Sequence, residues 1–208
     1  MTLYPSLMPK NIALFFSAIL HPLLMPLAGI TILLFTSSYV SLLPLPARKL
    51  IILLFASGTL LLPAIMLPLA FFRNEVIMQK QNERTIPLAL TLIFYMLTYF
   101  LFLKVPVFRF MHSFLLGALF SVFIALIINL KWKISLHMIG LGGLTAFLLY
   151  VSVNRQINLF PWVLISVLAS GIAGTSRLYL NSHSQAQIYA GYFTGGFCMW
   201  LCMIFFGT

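Results

Sequence analysis

From Phe114 to Leu130 the chain reads FLLGALFSVFIALIINL, with no charged residue. A run of this kind is long and apolar enough to cross a bilayer as a helix, which needs roughly 20 mostly apolar residues. The pattern recurs at about Asn11–Phe35, Lys49–Phe72, Leu88–Leu103, His137–Val153, Trp162–Tyr179 and Ile188–Phe206. The runs are continuous rather than alternating, which selects helices over a β-barrel. The expectation is an all-α, polytopic transmembrane helix bundle of six or seven spans, forming one integral membrane domain over residues 1–208. The first run crosses in the seven-span version; in the six-span version Pro22 and Pro26 of HPLLMP interrupt it. The opening MTLYPSLMPKN has two prolines and no small-residue cleavage site. It does not read as a removable signal, so the first run is expected to remain as a span.

Composition excludes a water-soluble domain. Only 7% of residues are charged and the mean hydropathy is +1.09, whereas a soluble domain carries about 25% charged residues. The net charge of +10 is spread one or two cations per loop, with Glu75 and Glu83 as the only acids. Scattered cations between apolar runs suit anionic lipid headgroups and give no patch for nucleic acid. Cys198 and Cys202 lie four apart in one apolar run without a companion cysteine, so no metal site is expected there. The Gly-rich stretches Ile139–Gly143 and Gly191–Gly196 fall inside spans and read as places where helices approach closely.

Parity carries the argument from topology to chemistry. The most polar stretch, Arg73–Pro87, is followed two spans later by Lys131–His137, and two spans after that by Arg177–Gln187. All three therefore share one membrane face, whatever the first run does. That face collects Lys80, Arg84, Lys133, Ser135, His137, Ser176, Arg177 and His183. Cations and hydroxyls with little acid to balance them suit an anion with several acceptor oxygens, such as a phosphate. Two imidazoles add a nucleophile and a proton donor. Scarce carboxylates argue against a magnesium site.

Three stretches then resemble, in order, the signatures of the type 2 phosphatidic acid phosphatase superfamily. Lys80–Pro87, KQNERTIP, is similar to K-x6-R-P; Ile134–His137, ISLH, to P-S-G-H; and Ser176 to Gln187 to S-R-x5-H-x3-D. The resemblance covers about residues 73–206. It implies that His183 is the nucleophile, forming a phosphohistidine, and that His137 is the general acid. It further implies that Lys80, Arg84, Ser135 and Arg177 hold the phosphoryl oxygens, joined here by Lys133 and Ser176, and that no metal or other cofactor takes part. The implied partner is a phosphorylated lipid, such as a polyprenyl pyrophosphate or phosphatidate, reached from the membrane lipid. The implied place is a bacterial inner membrane.

Departures from the signatures are specific. Arg84 stands three residues before Pro87 rather than beside it, though one helical turn from Lys80. Ile134 and Leu136 replace a Pro and a Gly. At the position of the Asp that orients the nucleophile the chain has Gln187, whose amide can hold an imidazole tautomer but supplies no negative charge. The competing expectation is therefore a catalytically weak or inactive lipid-phosphate binder, or a subunit of a membrane complex. A channel or transporter is disfavoured because few polar residues lie deep in the spans. The loop cations do not fix the side: the polar face holds the majority only if its suspected phosphate binders are counted. His21 reads as the partner of a helix kink and His112 as interfacial.

Overall fold

The computed structural model describes residues 9–36, 40–65 and 84–207. These are helical, with no strand among them. Among the described residues, seven stretches are long and apolar enough to cross a membrane: Lys10–Thr36, Leu45–Ile65, Thr85–Phe102, Arg109–Asn129, Leu136–Asn154, Phe160–Tyr179 and Gln185–Phe206. Helices satisfy every backbone polar group internally, which hydrocarbon surroundings demand. Large apolar side chains such as Phe100, Leu168, Phe193 and Phe197 are exposed on the outer faces, a surface suited to lipid and not to water.

The first stretch is broken. Helix α1 (Lys10–Ile19) ends at Leu20, His21 is extended, and a 3-10 turn (Pro22–Leu24) leads into α2 (Met25–Thr36). Pro22 causes this, because a residue before proline is pushed out of the helical region and the proline itself has no N–H. The remaining helices are α3 (Leu45–Ile65, with a π-helical turn over Ala56–Leu61), α4 (Thr85–Phe102), α5 (Arg109–Asn129), α6 (Leu136–Asn154), α7 (Phe160–Tyr179) and α8 (Gln185–Phe206). His112 does local work: its Nε2 bonds the Phe102 carbonyl at 3.0 Å, holding the turn between α4 and α5.

Helix α6 is the axis of the bundle, with 61% of its apolar window buried against 22% for α4. It packs most closely on α8, and both Gly-rich stretches lie in that seam. A Cβ on Gly142 would overlap the Tyr192 carbonyl, one on Gly195 the Ile139 carbonyl, and one on Gly191 would come within 2.6 Å of the Ser135 carbonyl. Backbone therefore meets backbone, as expected for small residues between spans. The contacts climb in step, from Ser135–Gly191 through Ile139–Gly195, so α6 and α8 run parallel. Their first turns lie at the same end, and that end carries His137 and His183. Helix α7 is tied to α6 by a Thr145 Oγ1–Ser166 Oγ hydrogen bond of 3.0 Å. Stacked Phe114 and Phe147, ring centroids 3.8 Å apart, fill the space beneath.

Gly195→Ala should weaken the bundle by about 1–3 kcal/mol, the usual cost of overpacking. Gly171→Ala, with nothing within 4 Å of the added methyl, should change it by no more than about 1 kcal/mol. Thermal melting of both variants in detergent makes the comparison, and equal melting temperatures would show that the seam is not tight.

Candidate active site

One cavity of about 220 Å³ opens at this end of the bundle. Arg84, His137, Arg177 and His183 line its polar mouth, together with His21. Each comes from a different junction: the start of α4, the first turn of α6, the last turn of α7 and the turn before α8. Three polar clusters far apart in sequence thus meet, as parity predicts. Below the mouth the walls are apolar, including Leu88, Tyr95, Phe114, Leu144 and Met199. Along α6 the lining runs from Leu136 to Leu144, a depth of about 12 Å at a rise of about 1.5 Å per residue.

The His183 tautomer follows from its neighbours. Ser184 is the N-cap of α8, and its capping box brings the Gln187 side chain back over the helix start. The Ser184 backbone N–H donates to Gln187 Oε1 at 3.1 Å. A backbone N–H can only donate, so that amide atom is the oxygen. His183 Nδ1 lies 3.0 Å from the same oxygen and must therefore carry a proton to bond it. The lone pair of the neutral ring is left on Nε2. Gln187 Oε1 thus bonds the His183 ring and caps its helix with the same atom.

Electrostatics keep that ring neutral. Burial first, then the positive charges of Arg84, Arg177 and Lys133, pull the His183 pKa down to about 3, although the Gln187 bond acts in the opposite direction. Lys133 is held below its ordinary value by burial and by Arg84 and Arg177. These three cations share the site with no carboxylate among the described residues; Glu75 and Glu83 lie outside them, as does Lys80.

Sequence reasoning did not find Ser17. Helix α1 lies across α7, and the Ser17 hydroxyl accepts from Arg177 Nη1 at 2.8 Å. The Ser17 carbonyl accepts from His137 Nε2 at 2.9 Å, so that nitrogen carries the proton. One serine from the first span therefore engages both the guanidinium and the expected general acid. Its only sequence trace is a spacing of four before His21.

The two predicted hydroxyls behave differently. Ser176 donates back to the Ile172 carbonyl at 2.7 Å and does not line the cavity, and neither do Ser135 and Lys133. Ser135 is fully buried at the N-cap of α6 without capping it. Its Oγ and Arg177 Nε are the buried side-chain polar atoms without a hydrogen-bond partner among the described residues. Such atoms are costly to leave unpaired. Comparison of the chain with protein-family models, with curated proteins and with solved structures gave no match.

The depressed His183 pKa has a defined sign. An unfolded His183 takes up its proton near pH 6.5 and the folded one only near pH 3. Folding stability is therefore lost as pH falls through that window, because the unfolded chain binds more protons there. Carbon NMR of histidine-labelled protein should show the His183 ring, assigned by its loss in His183→Gln, unchanged from about pH 8 to about pH 5. A midpoint near the ordinary value of about 6.5 would mean that the ring is neither buried nor crowded by cations.

Proposed function

We propose that this protein is a membrane-embedded phosphohydrolase of the type 2 phosphatidic acid phosphatase kind, acting on a lipid phosphate or pyrophosphate. The observation that carries the proposal is the His183 ring. Its Nδ1 proton is held by Gln187, its Nε2 lone pair is free for attack, and it borders a cavity shared with Arg84, Arg177 and His137. The orphaned Arg177 Nε adds a donor of the kind a phosphate takes up. The apolar walls below the mouth suit a lipid chain, and the seven helices long and apolar enough to cross a membrane suit a site reached from the bilayer.

The mechanism runs in two displacements. His183 Nε2 attacks phosphorus as the bond from phosphorus to the lipid-side oxygen breaks. The negative charge of the bound phosphate lets the His137 ring take up a second proton from water, and the leaving oxygen then takes the Nε2 proton as that N–H exchanges the Ser17 carbonyl for the leaving group. The Arg84 and Arg177 guanidinium groups at the mouth offset charge on the equatorial oxygens, and the positive charge of Lys133 reaches the site from beyond the cavity lining. Water then attacks the phosphohistidine, gives a proton to the now neutral His137, and inorganic phosphate leaves while His183 is regenerated.

Gln187 separates this reading from a second one. No carboxylate backs the imidazole, and Ser17 already occupies both Arg177 and His137; these observations favour a binder that holds a lipid phosphate without turning it over. Phosphate release from a polyprenyl pyrophosphate and from phosphatidate, with chelator present, distinguishes the two. Wild type should release phosphate slowly and His183→Ala not at all. Gln187→Asp should be faster by about tenfold or more, equivalent to about 1.4 kcal/mol of barrier. No release by any of these proteins, with vanadate still bound, would leave the binder.

A further inference from the structure

The phosphate reading uses the C-terminal helices, yet the cavity mouth has a third imidazole that comes from the first span. His21 sits at the break between α1 and α2, half-buried and lining the cavity. Its ring meets His137 edge to face, with centroids 5.5 Å apart at 78°. The break is anchored in place by Ser17, four residues earlier, which is bonded to Arg177 and His137.

Capping explains only half of this side chain. His21 Nδ1 accepts from the Leu23 backbone N–H at 3.4 Å, making it the N-cap of the 3-10 turn. An N–H can only donate, so Nδ1 holds the lone pair and the neutral ring carries its proton at Nε2. That second N–H has no hydrogen-bond partner among the described residues. A serine or asparagine would cap the same turn, but its short side chain would keep any further donor close to the backbone, whereas the imidazole carries a second N–H to the far side of its ring. The feature that imidazole adds to a cap is a donor at the mouth of a cavity that already holds Arg84, Arg177 and His183.

We propose that His21 is a ligand of the bound phosphate group, donating its Nε2–H to an oxygen. The N-terminal span then contributes to the site twice: Ser17 contacts Arg177 and His137, and His21 contacts the anion. The inference rests on the reading of this cavity as a phosphate site, but not on hydrolysis.

The two ring nitrogens can be separated by substitution. In His21→Asn the amide takes the place of Nδ1, keeping the cap acceptor and removing the distal donor. In His21→Gln the amide reaches the place of Nε2, keeping a distal donor and losing the cap. Orthovanadate binding by the full chain in detergent is measured for wild type, both variants and Arg177→Ala. Wild type should bind, Arg177→Ala should not, His21→Asn should bind at least tenfold more weakly, and His21→Gln should retain most of the affinity. Retention in Asn, with or without loss in Gln, would reduce His21 to a cap and overturn the proposal.

Nitrogen NMR of the histidine-labelled wild-type protein is independent of how the variants fold. Vanadate should shift the His21 Nε2 resonance, and an unmoved resonance at saturation would overturn the proposal even if both variants lose affinity. Failure of wild type to bind vanadate at all would instead remove the phosphate site itself, and the proposal with it. Inorganic phosphate and a short-chain phosphatidate, titrated in parallel, identify the source. A shift of the His21 resonance with both supports ligation of free phosphate, and a shift with phosphatidate alone supports ligation of the lipid headgroup.

Discussion

The close approach of α6 to α8 is the contact on which the rest depends. Gly142, Gly191 and Gly195 let one backbone lie against the other, and because the two helices run parallel their first turns finish level. That fixes His137 and His183 at one end of the molecule before any polar interaction is made. The Ser135 N–H also donates to the Gln187 carbonyl at 3.4 Å, tying the two helix starts directly. Larger side chains in the seam would separate the helices, and the two imidazoles with them.

The site built on this seam is held together by packing against its own electrostatics. Arg84, Lys133 and Arg177 repel one another and disfavour a charged His183. No carboxylate among the described residues answers them. A polyanion bound at the mouth would relieve this repulsion and give the orphaned Arg177 Nε an acceptor. Ser17 offers Arg177 and His137 two neutral oxygens, a weaker match than a phosphate to a planar guanidinium that prefers charged, bidentate partners. The first span is therefore docked on the site by contacts that an anion can replace.

Much of this was legible in the sequence, for local reasons. Uncharged runs gave the spans, because hydrocarbon forces the backbone into helices. Parity placed the clusters of Arg84, His137 and Arg177 on one face without any knowledge of packing. The reach of Gln187 back to His183 follows from a spacing of one helical turn, and the small residues of the two Gly-rich stretches announced the seam. What was not legible was tertiary. Nothing near Ser17 says that α1 will cross the end of α7. The hydroxyl of Ser176 could face the site or its own helix, and only packing decides that it bonds Ile172. Pro22 marks His21 as a kink partner in the sequence, whereas the cavity beside it leaves no trace there.

The central claim is that Gln187 holds His183 so that Nε2 attacks phosphorus. The most direct measurement is mass spectrometry of wild-type protein mixed with a polyprenyl pyrophosphate and quenched in alkali within the first turnovers, conditions in which phosphohistidine survives. The account predicts a phosphoryl group on the peptide containing His183, bonded to the imidazole. Phosphate release with His183 unmodified, or with the phosphoryl group on another residue, would contradict it.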